Sequence, residues 1–226
     1  MSARKVISLV LKITVVLSSF YGVYLAVSAD ARGMLFFTIQ SNIWIGIACL
    51  AGIVLMVTKA EIKRWMYSAK LICTVSITLT GVVFCVMLAP LYGDEAYSLV
   101  NVLTHVIVPA ASILDFIVYD YPAKYKKYEC LTVTIPPFYY LGFAGIGYVL
   151  RWDFADGFNY PYFFLNWGST AGAFGFSEEF PYIGCFYYIV ILVAFVIGVG
   201  ALYIWLASLI RKITAKEKQT VVCAGE

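Results

Sequence analysis

LICTVSITLTGVVFCVML, residues 71–88, decides the fold class of this chain. Its second half, GVVFCVML (81–88), is apolar without alternation. A membrane strand needs only about ten residues of alternating polarity, whereas a membrane helix needs about 18–20 consecutive apolar ones. The stretch therefore reads as a transmembrane helix. Five more of the same kind occur at about 6–27, 36–57, 99–118, 130–150 and 181–210. The expected fold is all-α, with residues 1–226 forming a single domain of six transmembrane helices.

Composition points the same way. The chain has 226 residues, 62% of them hydrophobic and only 13% charged, with a mean hydropathy of +0.87. A soluble globular domain carries about 25% charged residues. A chain this apolar would leave too much greasy surface in water, and disordered chains lack such side chains altogether. Both classes are excluded.

Basic residues set the expected orientation. With both termini inside, the inner segments hold Arg4, Lys5, Lys12, Lys59, Lys63, Arg64, Lys70, Lys124, Lys126, Lys127, Arg211, Lys212, Lys216 and Lys218. Only Arg32 and Arg151 fall outside. Such asymmetry is the positive-inside signature. The net charge of +3 is thereby explained as topology, and no nucleic-acid partner is expected. The first stretch also has the outline of a secretory signal, with Arg4 and Lys5 in front and Val27–Ser28–Ala29 at its end. A signal core is usually 7–15 residues long, and this run exceeds that, so a retained span is expected. The tail after Lys212 is short and mixed and is expected to fray. Lys12, inside the first span, lies within snorkelling reach of the inner surface.

No metal or other cofactor is expected. Cys49, Cys73, Cys85, Cys130 and Cys185 fall in spans and Cys223 in the tail, without the spacing of a metal site or disulfide framework. The chain has one histidine.

Four of the five connections are short, so consecutive helices should be antiparallel neighbours. The exception is 151–180. Between Gly157 and Phe180 it carries nine aromatics (Phe158, Tyr160, Tyr162, Phe163, Phe164, Trp167, Phe174, Phe176 and Phe180) and no Lys or Arg. Two readings stay open: an anchor belt at the membrane interface, or a lid over a lipid-accessible cavity, with Gly168, Gly172 and Gly175 as pivots.

Polar groups in hydrocarbon are costly and should face the bundle interior. In the fourth span Asn101, His105, Ser112 and Asp115 fall on one broad face at 3.6 residues per turn. Asp115 lies roughly 15 Å along the axis from His105, too far for a direct bond. Its expected role is structural, pairing with a basic side chain. In the second span Thr38, Ser41 and Asn42 share a polar face near the outer surface. Thr38 and His105 thus occupy two outer half-helices, at depths differing by about one turn.

That co-location admits several readings. An imidazole can take the proton of a threonine hydroxyl, with Asn42, Asn101 or backbone N–H groups stabilising an oxyanion. Alternatively, Thr, Ser, Asn and His serve as interhelical glue, or His105 and Asp115 relay protons in a transporter. A Thr38–His105 separation of about 3–4 Å favours catalysis. In the remaining spans, Thr74, Thr78, Gly81 and Cys85 form a small-residue stripe. Pro136–Pro137 should break the fifth span, with Gly142, Gly145 and Gly147 allowing close packing beyond it.

Three stretches carry a family resemblance: FFTIQSN (36–42), LTHVIVPAASILDFIVY (103–119) and YPYFFLNW (160–167). In helix order they resemble bacterial relatives of the androgen-induced-gene and androgen-dependent TFPI-regulating proteins, six-helix membrane proteins. The resemblance implies a threonine hydrolase of fatty acid esters of hydroxy fatty acids, with Thr38 as nucleophile and His105 as base. Ser41, one turn from Thr38, is the competing nucleophile position. The implied setting is a bacterial plasma membrane, with a lipid-like ester as the substrate. Acyl transfer to an acceptor other than water, transport and simple lipid binding remain alternatives.

The charge asymmetry predicts that a C-terminal fluorescent-protein fusion is bright and a C-terminal alkaline phosphatase fusion is inactive. The reverse pattern would place the termini outside.

Overall fold

The computed structural model describes residues 3–119 and 125–223. Lys124, counted above among the inner basic residues, lies outside them. Six helices are long and apolar enough to cross a membrane: α1 (Ala3–Ala29), α2 (Phe37–Thr58), α3 (Arg64–Tyr97), α4 (Leu99–Val118), α5 (Glu129–Val149) and α6 (Cys185–Thr214). The chain is therefore an all-α integral membrane protein. Each helix matches one predicted stretch, with ends moved by a few residues. The largest shifts are at α3, which begins earlier and runs later than 71–88. The helix of α6 continues to Cys223, where a frayed tail was expected.

The helices are inside out relative to soluble ones. On α1 the buried positions are Ser8, Lys12, Val15, Ser19 and Gly22, spaced 4, 3, 4 and 3 apart along one face. Leu17 and Val10 point outward. Lipid tails are as apolar as leucine, so membrane helices associate through small residues and polar contacts, leaving the aliphatic side chains to the lipid. On this pattern α1 packs against α2 and α4, and α3 closes the group by packing on the same two helices. The outer pair, α5 and α6, lies against the other side of α3. α3 is therefore the central helix, with 61% of its apolar window buried against 17–44% for the others.

At the end of the bundle that carries both chain termini, a buried charge cluster ties three helices together. The Asp115 carboxylate of α4, fully enclosed, accepts from Lys12 Nζ of α1 at 2.7 and 2.8 Å. It also accepts from Ser8 Oγ at 2.6 Å and pairs with Lys70 Nζ of α3 at 3.0 Å. Asp115 has the structural role expected of it. Lys12, however, does not snorkel: it is 3% exposed and turned inward to this carboxylate. The nearby Glu129, also buried, accepts from Arg64 and from Ser68 Oγ.

Two of the helices are interrupted in the same way. α3 contains a π-helical turn at Phe84–Leu88 and α4 another at Leu103–Ile107. In each, a proline follows two residues beyond the turn, Pro90 and Pro109 respectively. A proline has no N–H for the carbonyl four residues back, and its ring crowds that carbonyl. The wide turn, closed by an i+5 bond from Ala89 N to Phe84 O and from Val108 N to Leu103 O, makes room for it. The two turns abut because α3 is a glycine at Gly81: a Cβ there would sit 3.0 Å from the His105 carbonyl oxygen and from Pro109.

α5 is broken where the sequence predicted. A short turn, Glu129–Thr132, precedes the main helix, Ile135–Val149, which opens on Pro136 and Pro137 in its first turn. Of its glycines only Gly147 is a close-packing site, receiving Phe154 and Trp152. A Cβ at Gly142 or Gly145 would meet nothing, so the expectation of close packing fails there.

The long connection folds back over the end of the bundle opposite the termini. Phe154, fully buried, anchors its start. Arg32, in the short α1–α2 connection, joins it through Asp153 at 2.6 Å. Arg32 also bonds Asp30, holding that carboxyl below the usual carboxylate range. A single 3-10 turn, Phe163–Leu165, turns Phe164 and Leu165 into the protein, whereas Phe174 and Phe176 lie 68% and 73% exposed. The two halves of the loop therefore differ, one packed into the protein and the other exposed.

Removing the Asp115 carboxylate leaves two enclosed ammonium groups without it, at a cost of about 3–5 kcal/mol. Asp115→Leu should lower the thermal unfolding temperature in detergent sharply. The triple variant Lys12→Met/Asp115→Leu/Lys70→Met should recover most of the loss.

Candidate active site

Thr38 sits in the first turn of α2. Phe36 precedes it in an extended conformation (φ −90, ψ 140) without a capping side chain, and the first N–H groups of a helix have no partner within it. The Thr38 N–H instead points at the Tyr162 hydroxyl, 3.4 Å away. Thr38 Oγ1 lies 3.2 Å from His105 Nε2. The one-turn difference in depth read from the sequence does not keep the two side chains apart.

His105 occupies the middle of the π turn of α4. Its Nδ1 faces the Asn101 carbonyl oxygen at 3.2 Å and Thr104 Oγ1 at 3.1 Å. The carbonyl can only accept. The Thr104 hydroxyl spends its own proton on the Val100 carbonyl at 2.8 Å, so it too accepts at Nδ1. Two acceptors on one ring nitrogen call for a proton there. Nε2 is then bare, with its lone pair toward the Thr38 hydroxyl. The ring is held flat by Phe84, stacked at 3.9 Å between centroids and 17° between planes. Both rings belong to π turns.

Thr38 is braced from below. Asn42 Nδ2 donates to the Thr38 carbonyl at 2.8 Å and to the Thr104 carbonyl at 3.2 Å. The second bond matters locally, because Pro109, five residues beyond Thr104, has no N–H to offer it. Ser41 Oγ donates to the Thr38 carbonyl at 3.0 Å and meets Thr80 Oγ1 of α3 at 2.8 Å. The start of α2 is thus pinned to both π-bearing helices.

An apolar cavity of about 80 Å³ opens beside Thr38, walled by α3, α5, α6 and the loop. Leu79, Val83, Phe138, Leu141, Ile189 and Leu192 supply much of its surface, and Tyr162, Phe164 and Leu165 close it from the loop side. Thr38 is part of the wall; His105, at 8% exposure, stands behind it. Burial pushes the Tyr162 phenol up to about 12, so it stays protonated at neutral pH.

Of the residues singled out from the sequence, Thr38 and His105 meet, and Ser41 and Asn42 lie beneath them as braces. The amide of Asn42 is committed to two carbonyls and does not face the threonine hydroxyl. Asn101 contributes its backbone carbonyl; its side chain turns outward to the Glu95 carbonyl at 3.4 Å. His105, Ser112 and Asp115 are all buried. His105 lies within the π turn and meets Thr38 of α2, while Asp115, further along α4, meets Lys12 and Lys70. Tyr162, Phe84, Thr104 and Thr80 were not singled out. Tyr162 belongs to the quoted YPYFFLNW stretch, and Pro90 and Pro109 were the available signal for the wide turns.

No family model, curated protein or solved structure matches the chain.

The acceptor pair at Nδ1 makes a direct prediction. In nitrogen NMR of the purified protein in detergent, His105 should show the neutral Nδ1–H tautomer near neutral pH. An Nε2–H tautomer would reverse the proton arrangement described above.

Proposed function

We propose that the protein is an intramembrane hydrolase of lipid-like esters, with Thr38 as nucleophile and His105 as general base. The observation that carries the reading is the 3.2 Å contact between Thr38 Oγ1 and the unprotonated face of His105, at the wall of an apolar cavity. A threonine hydroxyl is a poor nucleophile until a base takes its proton. A base must lie within hydrogen-bond reach and itself be oriented; the Asn101 carbonyl and the Phe84 ring supply that orientation.

In this mechanism the Thr38 oxygen attacks the ester carbonyl as its proton passes to His105 Nε2. The tetrahedral intermediate collapses, the bond to the alcohol oxygen breaks, and His105 returns the proton to the departing alcohol. Water then repeats the sequence on the acyl-threonine and releases a carboxylic acid. An alcohol in place of water would make the same residues an acyl transferase. The acyl chain occupies the cavity among Leu79, Val83, Leu141 and Leu192. The resemblance of 36–42, 103–119 and 160–167 to the bacterial relatives of the androgen-induced-gene family supports the same pair of residues. It also supports esters of hydroxy fatty acids as the substrate class. In keeping with it, we place the protein in a bacterial plasma membrane, both termini cytoplasmic because the basic residues gather at that end.

Asp115 favours this reading over a proton relay, since it is engaged by Lys12, Lys70 and Ser8 rather than turned toward His105.

Thr38→Ala and His105→Ala should each lower hydrolysis of a long-chain p-nitrophenyl ester by about 10²–10⁴-fold and abolish labelling by a lipid-like fluorophosphonate. Ser41→Ala should retain the label. Turnover and labelling kept in both Thr38→Ala and His105→Ala would overturn the assignment.

A further inference from the structure

The proposed nucleophile and base account for proton movement but leave the charge on the reacting carbonyl oxygen unanswered. In acyl transfer that oxygen becomes an oxyanion, and donors placed for it contribute a large part of the rate. The side-chain amides expected to provide them are occupied elsewhere: Asn42 on the carbonyls of Thr38 and Thr104, Asn101 on Glu95. Polar side chains of the cavity wall are Thr38, Thr80, Tyr140 and Tyr162. Thr80 is bonded to Ser41 and to the Ser76 carbonyl. The Tyr140 hydroxyl donates to the Leu35 carbonyl at 3.0 Å.

Tyr162 is differently placed. Its oxygen accepts the Thr38 N–H at a long 3.4 Å, and both residues line the cavity. It therefore sits over the nucleophile on the cavity side. Its ring cannot swing freely, being stacked on Phe164 at 5.0 Å and 5° and set edge-on to Phe36 at 5.7 Å. Where Tyr162 Oη now meets the Thr38 N–H, a carbonyl oxygen of a bound ester would find two donors: a helix-start N–H that lacks any intrahelical partner, and a phenol.

We infer that Tyr162 is a further catalytic residue, whose hydroxyl joins the Thr38 N–H in binding the oxyanion. As the Thr38 oxygen bonds to the carbonyl carbon, the C=O pair moves onto oxygen. The Tyr162 O–H then donates to that oxygen without giving up its proton. Collapse returns the pair to C=O as the bond to the alcohol oxygen breaks, and Tyr162 releases the carbonyl. The inference rests on the hydrolase reading. It adds that the long loop supplies chemistry as well as a wall, because Tyr162 is the loop's own residue.

Tyr162→Phe tests it, since the ring and its stacking survive and only the hydroxyl is lost. With a long-chain p-nitrophenyl ester, kcat should fall about 10²–10³-fold with KM changed by less than about threefold. Tyr188→Phe, which removes another loop-side hydroxyl (bonded to the Pro181 carbonyl at 2.7 Å), should keep kcat within about threefold. An active wild type with a near-normal kcat in Tyr162→Phe would overturn the inference and leave the hydrolase reading standing. A fall of equal size in Tyr188→Phe would also overturn it, by tracing the loss to loop packing. If the wild type neither turns over the ester nor labels at Thr38, the hydrolase reading itself fails.

Discussion

The buried carboxylate of Asp115 holds the arrangement together. One side chain joins α1 through Lys12 and Ser8, and α3 through Lys70, while belonging to α4. In hydrocarbon, charges separated from partners are expensive, so this contact permits little sliding of the three helices. The same helices diverge toward the other end only as far as their small residues allow. Gly81 meets the His105 carbonyl and Gly22 of α1 receives Thr104. A fixed point at one end and close backbone contact at the other set the positions from which Thr38 and His105 meet.

The π turns complete that convergence. Pro109 breaks the hydrogen-bond ladder, the wide turn absorbs the break, and His105 lies within that turn. Carbonyls loosened this way are costly in a membrane unless something donates to them. Asn42 answers for Thr104, and the Asn101 carbonyl is taken up by His105 itself. The break in the helix and the orientation of the imidazole are thus one feature.

Six spans were legible because length and apolar continuity are properties of a single segment. The pairing of Asp115 with a lysine was legible too, since a buried carboxylate in lipid has few other options. Thr38 and His105 could be named as scarce polar groups at similar depth, but their 3.2 Å contact could not be read from spacing. It depends on a π turn that shifts the period, and periodicity arguments assume 3.6 residues per turn. Asn42 and Asn101 were misread for a related reason: their side chains looked available until the backbone groups needing them were known. Tyr162 was hidden among nine aromatics in a loop without a period, where one phenol cannot be told from its neighbours by pattern.

The two ends of the bundle treat polarity differently. The Asp115 end places full charges in the interior and neutralises them by direct contact. Around Thr38 the buried polar groups in contact are neutral: hydroxyls, carbonyls, an amide and a phenol around one imidazole. Many hydrolytic triads orient the histidine with a carboxylate; here a peptide carbonyl stands in that place. A carboxylate beside the apolar cavity would need a cation of its own, as Asp115 does, and that cation would compete for the position of the base. A carbonyl fixes the ring and its proton without that requirement, though it stabilises the imidazolium of the transition state less. In the hydrolase we propose, more of the work then falls on whatever meets the oxyanion, the role proposed for a loop residue at the cavity wall.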